Sequence, residues 1–264
     1  MAGAPYEVDL NDPRAPDLET WGRLTPRERQ RVIDQLPSEF ELAPPEGDVH
    51  RVPKHQALDA LDAYFRKAGR RVYLSSELPV YYPGAPVIAP DLLAVMDVEV
   101  HERQRWVVAA EGKGLDFALE VTVEGSRKKD LEINVAKFAA LGIAEYFVFD
   151  RKNHRLYGWR LPPGGTAYSP LIPQQGRWRS LILGLDLGLE GDRLRFYAGT
   201  AVVPNTEELL ARANFLAEDL QSKLLVAELR AEQEAERAED EKRRAEDAEA
   251  RIAQLEAELE RLKH

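Results

Sequence analysis

The sequence predicts an α/β (α+β) fold, a mixed sheet flanked by helices and followed by β-hairpins and a long C-terminal helix. Three observations predict it. Residues 55–68 place Leu58, Leu61, Phe65 and Ala68 on one helical stripe. Apolar segments at 71–74, 87–96, 105–109 and 115–123 read as strands, and a helical stretch at 127–141 leads into a further strand at 145–149. From Asn205 onward there is neither proline nor glycine, and Ala, Glu, Arg and Leu dominate.

Taken in order, the first segment is rich in Pro, Asp, Glu and Arg and holds one expected helix. Thr25 is its N-cap, Pro26 suits the first helical position, and Glu28 completes a capping box. Val32, Ile33 and Leu36 form a short apolar face that Pro37 ends, and the Pro- and Gly-containing residues 43–47 read as a linker. Gly69 stops the 55–68 helix. The segment LDFALEVTV is an apolar strand interrupted by one acid, Glu120, and a buried carboxylate needs a partner or a purpose. Gly142 caps the 127–141 helix. EYFVF at 145–149 is a strong strand by its aromatic and β-branched content, and hairpins follow to Thr200. The expected organisation is an N-terminal arm with one short helix (1–46), a central domain (47–204) and a charged C-terminal helix (205–264).

The tail fits one heptad register. Leu210, Leu224, Ile252 and Leu259 fall at position a and Leu220, Leu255 and Leu262 at d, with Ala and Glu filling the middle of the seam. Two readings stand: a self-associating coiled coil, or a lone charged helix held by Glu–Lys and Glu–Arg pairs.

Composition excludes several classes. With no cysteine in 264 residues, the chain has no disulfide, thiolate zinc site or cysteine nucleophile, and it suits a reducing compartment. The first residues lack the basic start and apolar run of a signal peptide, and no apolar stretch is long enough to span a bilayer, so a cytoplasmic protein with no membrane partner is expected. The net charge of −10 argues against a non-specific nucleic-acid coat, but from Asn205 on there are seventeen acids against ten bases. The acidity therefore belongs mostly to the tail. No phosphate-cradling glycine loop, HExxH or nucleophile elbow occurs.

Metal-dependent phosphodiester hydrolysis needs carboxylates to hold Mg²⁺ and a means of orienting the attacking water. Asp91, at the start of one strand segment, and Glu120, within another, supply two carboxylates. The Val121 carbonyl is a further oxygen of the kind Mg²⁺ accepts. By spacing alone the pair also has plainer readings, since an Asp after proline makes turns or caps and a strand Glu pairs with arginine.

Across APDLLAV, RWVVAAEGKGLDFALEV and SRKKDLEINVAKFAALGIAEYFVFD, the chain resembles the Uma-type restriction endonucleases, a bacterial family of the PD-(D/E)XK class. The resemblance runs from about Gly47, with His50, to Ala201, and extends to the charged tail that some members carry. It implies a restriction-endonuclease-like fold, a metal site (Mg²⁺ or Mn²⁺) on Asp91 and Glu120, and DNA as substrate.

In the wider class a lysine stands two residues after the glutamate, where this sequence has Thr122. Uma-type members often place a lysine on the next helix, in a pattern that puts Asn134 at the lysine position and Phe138 at the tyrosine. Lys137 lies one helical turn further on. At 100° per residue Asn134 falls about 60° and Lys137 about 120° from the apolar face centred near Leu131. Lys137 then either reaches back toward the site or is a solvated surface lysine. Lys113, in the turn EGKG, is either a second candidate cation or an ordinary turn residue. Three further features carry two readings each: Arg127, Lys128 and Lys129 (phosphate contacts or solvated helix start), His50 (beside the site or at a cap), and Tyr146, Tyr157 and Trp159 (sheet core or stacking platform).

The expectation is a Mg²⁺- or Mn²⁺-dependent DNA endonuclease. Asp91, Glu120 and Val121 would hold the ion, Lys137, Lys113 or Asn134 would orient water, and the tail would join subunits. The rival expectation is a nuclease fold without catalysis, serving as a coiled-coil binding or scaffolding module.

Overall fold

A computed structural model describes residues 6–38, 47–123 and 127–262. The linker expected at 43–47 lies outside them except for Gly47. The chain divides into two compact units, Met1–Thr206 and Glu207–His264.

The N-terminal arm carries two helices among its described residues, where one was expected. Helix α1 (Leu18–Arg23) is capped by the Asp17 carboxylate, which accepts the Thr20 N–H at 2.8 Å, and is too short to show a periodic stripe. Helix α2 (Pro26–Gln35) has the expected capping box between Thr25 and Glu28. Trp21, Val32 and Leu36 pack with Tyr81 and Val107. The Tyr81 hydroxyl donates to the Pro37 carbonyl at 2.8 Å, tying the arm's end to the core.

Helix α3 (Asp48–Ala68) starts seven residues before the expected 55. Pro53 lies inside it and hid the earlier turns from a reading by propensity. The helix ends at Gly69, whose φ of 65° is left-handed and lets its N–H close on the Arg66 carbonyl.

Six strands form the main sheet in the order β1 (Val72–Ser75), β3 (Leu92–Met96), β5 (Phe117–Thr122), β6 (Glu145–Asp150), β7 (Arg155–Arg160), β8 (Ser169–Pro170). All neighbours are antiparallel except β5 and β6, which are parallel, so the sheet is mixed as expected. A parallel pair needs a crossover. Here a helical segment supplies it, opening as a wide π-type turn over Lys129–Ile133 and continuing as helix α5 (Asn134–Ala140).

Strands β2 (Val80–Tyr81) and β4 (Trp106–Val107) form a short parallel pair. The strand expected over 105–109 gives way at Val108 to the single turn α4 (Val108–Glu111). The strand expected over 87–96 begins only at Leu92: Pro90 has no N–H to offer a ladder, so residues 87–91 stay irregular but for a bridge at Ile88. The hairpin region forms a four-stranded antiparallel sheet, β12 (Ala201–Val202), β11 (Arg193–Ala198), β10 (Asp186–Glu190), β9 (Arg177–Arg179).

Strand alternation splits the core into two layers. Leu92, Ala94, Phe117, Leu119, Phe147 and Phe149 face α3 and the second sheet. Leu93, Val95, Ala118, Tyr146 and Val148 face α5, where Phe138 packs. The second unit is one helix, α6 (Thr206–Leu262), of 57 residues. Among the described residues no helix is long and apolar enough to cross a membrane.

Candidate active site

Antiparallel pairing of Leu92 with Leu119 puts Asp91, one residue before β3, opposite Glu120 on β5. Each acid is bound to the other's strand. The Asp91 Oδ2 accepts the Val121 N–H at 2.6 Å, and the Asp91 N–H donates to Glu120 Oε2 at 3.3 Å. Both are buried, Asp91 at 7% and Glu120 at 6% exposure. The pair sits where β3 begins, and the two helical layers meet it from opposite faces.

From the α3 side, His50 Nε2 lies 3.0 Å from Asp91 Oδ2, and the Lys54 ammonium lies 3.8 Å from Asp91 Oδ1. Lys54 is also 2.7 Å from Glu77 Oε1 and is 1% exposed. The Ser76 hydroxyl donates to the Asp91 carbonyl at 2.7 Å, and the Glu77 N–H to the Pro90 carbonyl at 3.0 Å. The 76–77 loop thus braces the chain just ahead of β3.

From the α5 side, the Asn134 amide donates to Glu120 Oε1 at 3.3 Å and to Asp130 Oδ1 at 3.2 Å. Thr122 donates its hydroxyl to Asp130 Oδ2, and the Tyr146 hydroxyl donates to the Asp130 carbonyl at 2.9 Å. The two positions where lysines were expected are therefore joined through one buried acid. The π-type turn makes this possible. An extra residue in the turn rotates the preceding side chains relative to regular helix spacing. Asp130 and Asn134 are both buried, and Asn134 points at Glu120 rather than lying to one side of the apolar face.

The electrostatics are those of crowded acids. The Glu120 carboxyl is pushed well above the usual glutamate range by burial first, then by the charges of Asp91 and Asp130, against a weaker opposing pull from Lys129. Such a site favours a cation. Its donors are hard oxygens, which suit Mg²⁺ or Mn²⁺. On an extended strand a residue's N–H and C=O point to the same side. The Val121 N–H points at Asp91, so its carbonyl leaves β5 on the same edge of the strand. The residues present fit a divalent ion.

The remaining expected site residues fall elsewhere. Lys113 donates to the Met96 carbonyl at 2.6 Å and pairs with Asp116 at 2.8 Å. Met96 is at the far end of β3, roughly 16 Å along the strand from Asp91. The structure does not bring Lys113 to the pair. Lys137 is half-buried and donates to the Val87 carbonyl at 3.4 Å, with its ammonium pKa lowered by burial and by Lys129. Arg127 binds the Asp150 carboxylate at 3.0 Å and the Tyr157 hydroxyl at 3.3 Å. Tyr146 and Trp159 stack in the core with ring centroids 5.6 Å apart, the sheet-core reading.

Sequence reasoning missed Lys54 and Glu77, and it gave no role to Asp130, where the helix pattern through Asn134 and Phe138 begins. The signal for Lys54 was its spacing of four from His50, visible only once the helix is extended back through Pro53. Asp130, four residues before Asn134, had the same kind of signal.

A family model described as Uma2, "Putative restriction endonuclease", matches residues 23–196. No curated protein matches. Among solved structures, one titled as a putative nuclease belonging to DUF820 from Anabaena variabilis ATCC 29413 is 12% identical. The match covers 53% of this chain and 76% of that one, with a TM-score of 0.41.

Proposed function

The chain belongs to the Uma2 family of restriction-endonuclease-like proteins, and from that premise we propose that it is a Mg²⁺- or Mn²⁺-dependent DNA endonuclease. The observation that carries the proposal is the cross-bonded, buried pair Asp91 and Glu120, with the Val121 N–H held by the Asp91 carboxylate. These three would hold the ion. When bound, it lowers the pKa of a water and neutralises charge on the phosphate.

The chain's own residues prepare that chemistry. The Val121 N–H and His50 fix the Asp91 carboxylate, while Asn134 and the Asp91 N–H fix that of Glu120. Because both acids are anchored before any ligand arrives, little reorganisation remains to be made on binding. Asn134, the polar side chain that bridges Glu120 and Asp130, is the group we assign to orienting the attacking water on the α5 side. Lys137 stands behind it, one turn along, as a screen for negative charge on approaching DNA.

Self-association through α6 completes the proposal. Leu210, Leu220, Leu224, Ile252, Leu255 and Leu259 are exposed along the helix at the expected a and d positions. An isolated helix leaves that seam in water, whereas a second copy would cover it. Pairing of two chains suits an enzyme that cuts both strands of a duplex. The rival reading, a nuclease fold retained for binding, draws on Thr122 and Asn134 standing where lysines are expected.

Incubation of the full chain with duplex DNA, single-stranded DNA and RNA in Mg²⁺ or Mn²⁺ tests the proposal. Cleavage of duplex DNA that chelation abolishes is expected. Failure to cut any of the three, with a bound ion demonstrated by calorimetry, would leave the binding-module reading in its place.

A further inference from the structure

We propose that Lys54 is the second cation of this site, a positioning residue that brings from helix α3 the charge absent at Thr122 and Asn134. The inference rests on the nuclease reading above. A lysine in the second turn of a surface helix ordinarily carries its ammonium out to water. Lys54 does the reverse and is 1% exposed. An ammonium taken out of water is costly unless it is closely paired, and two acids receive it: Glu77 at 2.7 Å and Asp91 Oδ1 at 3.8 Å.

The receiving loop is built for this. Glu77 adopts a left-handed φ of 57°, a conformation that costs a non-glycine residue on the order of 1 kcal/mol or more and persists where surroundings over-determine it. Its N–H is held by the Pro90 carbonyl at 3.0 Å, directly before Asp91. One turn before Lys54, His50 reaches the other Asp91 oxygen. A single turn of α3 thus addresses both oxygens of the metal-binding aspartate.

His50, Glu77 and Asp91 offer ligand atoms within 4.8 Å of one another, close enough to take a metal ion themselves. The Lys54 ammonium, 2.7 Å from Glu77 Oε1 and 3.8 Å from Asp91 Oδ1, already pairs with two of these three residues. A divalent ion on the same carboxylate oxygen, at the roughly 2.0–2.6 Å usual for Mg²⁺ and Ca²⁺ bonds, would stand within about 5 Å of the like charge of Lys54 and be repelled by it. Lysine therefore replaces a second ion. Being buried, it acts through Asp91: it holds the carboxylate's orientation and adds positive charge beside the place where the phosphate gains negative charge.

The test is steady-state cleavage of duplex DNA by the full chain and its Lys54→Met, Lys54→Arg and Glu77→Gln variants, with Mn²⁺ stoichiometry measured by calorimetry and folding by thermal melts. Lys54→Met is expected to lose roughly 10–100-fold in kcat, the range for removing a supporting partner of a metal ligand, with KM little changed. Lys54→Arg should regain part of that loss, and all forms should bind one Mn²⁺ per chain. Should Lys54→Met fail to fold, Glu77→Gln, which keeps the ammonium but loosens it, must show the kcat loss. Wild-type cleavage matched by folded Lys54→Met, or by Glu77→Gln, overturns the role of Lys54 alone. Two Mn²⁺ per chain, the second lost in Glu77→Gln, overturns it as well. A wild-type chain that cuts no nucleic acid removes the nuclease reading and this inference together.

Discussion

Glu120 is opposed twice, by burial and by the charges of Asp91 and Asp130, and the opposition has a sign in stability. A carboxyl whose folded pKa is raised contributes stability that is fully present below the ordinary glutamate pKa. That contribution is lost as pH rises through the raised folded value. Glu120→Gln should therefore raise the melting temperature of the metal-free protein at neutral pH by a few degrees. The gain should shrink toward zero in acid, and a melt series over pH measures it. A Glu120→Gln form less stable than wild type at neutral pH would mean that the neighbouring charges are already compensated. Asp91 and Glu120 were legible in the sequence because a lone acid in an apolar strand demands a reason. Lys54 and Glu77 were not. The lysine was hidden behind Pro53, and the glutamate lies in a turn with a left-handed backbone that no propensity marks for a glutamate. The role of Asp130 was obscured by the π-type turn, since a wheel at 100° per residue misplaces side chains on either side of it.

Helices α3 and α5 present the second half of the site from opposite faces of the sheet, and each depends on its own apolar contacts for that placement. Phe138 of α5 is 2% exposed and meets the Tyr146 ring edge-on, with centroids 4.9 Å apart. Phe138→Ala should cost about 3–5 kcal/mol by lost burial and the cavity left behind. It should also loosen Asn134 and thereby weaken Mn²⁺ binding; chemical denaturation and calorimetry report the two effects separately. A loss of stability with unchanged Mn²⁺ affinity would show that α5 does not position the Glu120 side of the site. At this scale the sequence reading located most elements, because the stripe through Leu58, Leu61 and Phe65 and the strand at 145–149 are long and periodic. It failed where elements are short or interrupted. Helix α1 has one turn and a half, β4 yields to α4 after two residues, and β3 cannot begin until Pro90 is passed.

Across the whole chain, the charge and the apolar seam of the tail separate it from the unit that holds the site. Pairs such as Asp219 with Lys223, 2.7 Å apart at i,i+4, support α6 by only a few tenths of a kcal/mol each. The exposed leucines, by contrast, gain more by burial against a second copy. The full chain is expected to sediment as a dimer or larger. A Leu220→Glu, Leu224→Glu double variant should move it toward the monomer mass and leave Mn²⁺ binding intact. An unchanged sedimentation coefficient would mean that α6 stands alone as a charged helix. The seam was legible from its heptads, but an alanine- and glutamate-filled middle states no partner number.

The measurement that bears most directly on the nuclease site is the initial rate of duplex plasmid nicking in Mn²⁺ by wild type, Asp91→Ala and Glu120→Ala at matched concentration. Wild type is expected to nick in a way that chelation stops, with a fall of at least about 100-fold in either variant, the scale seen when a group essential to charge stabilisation is removed. Equal rates in all three proteins would contradict the nuclease reading.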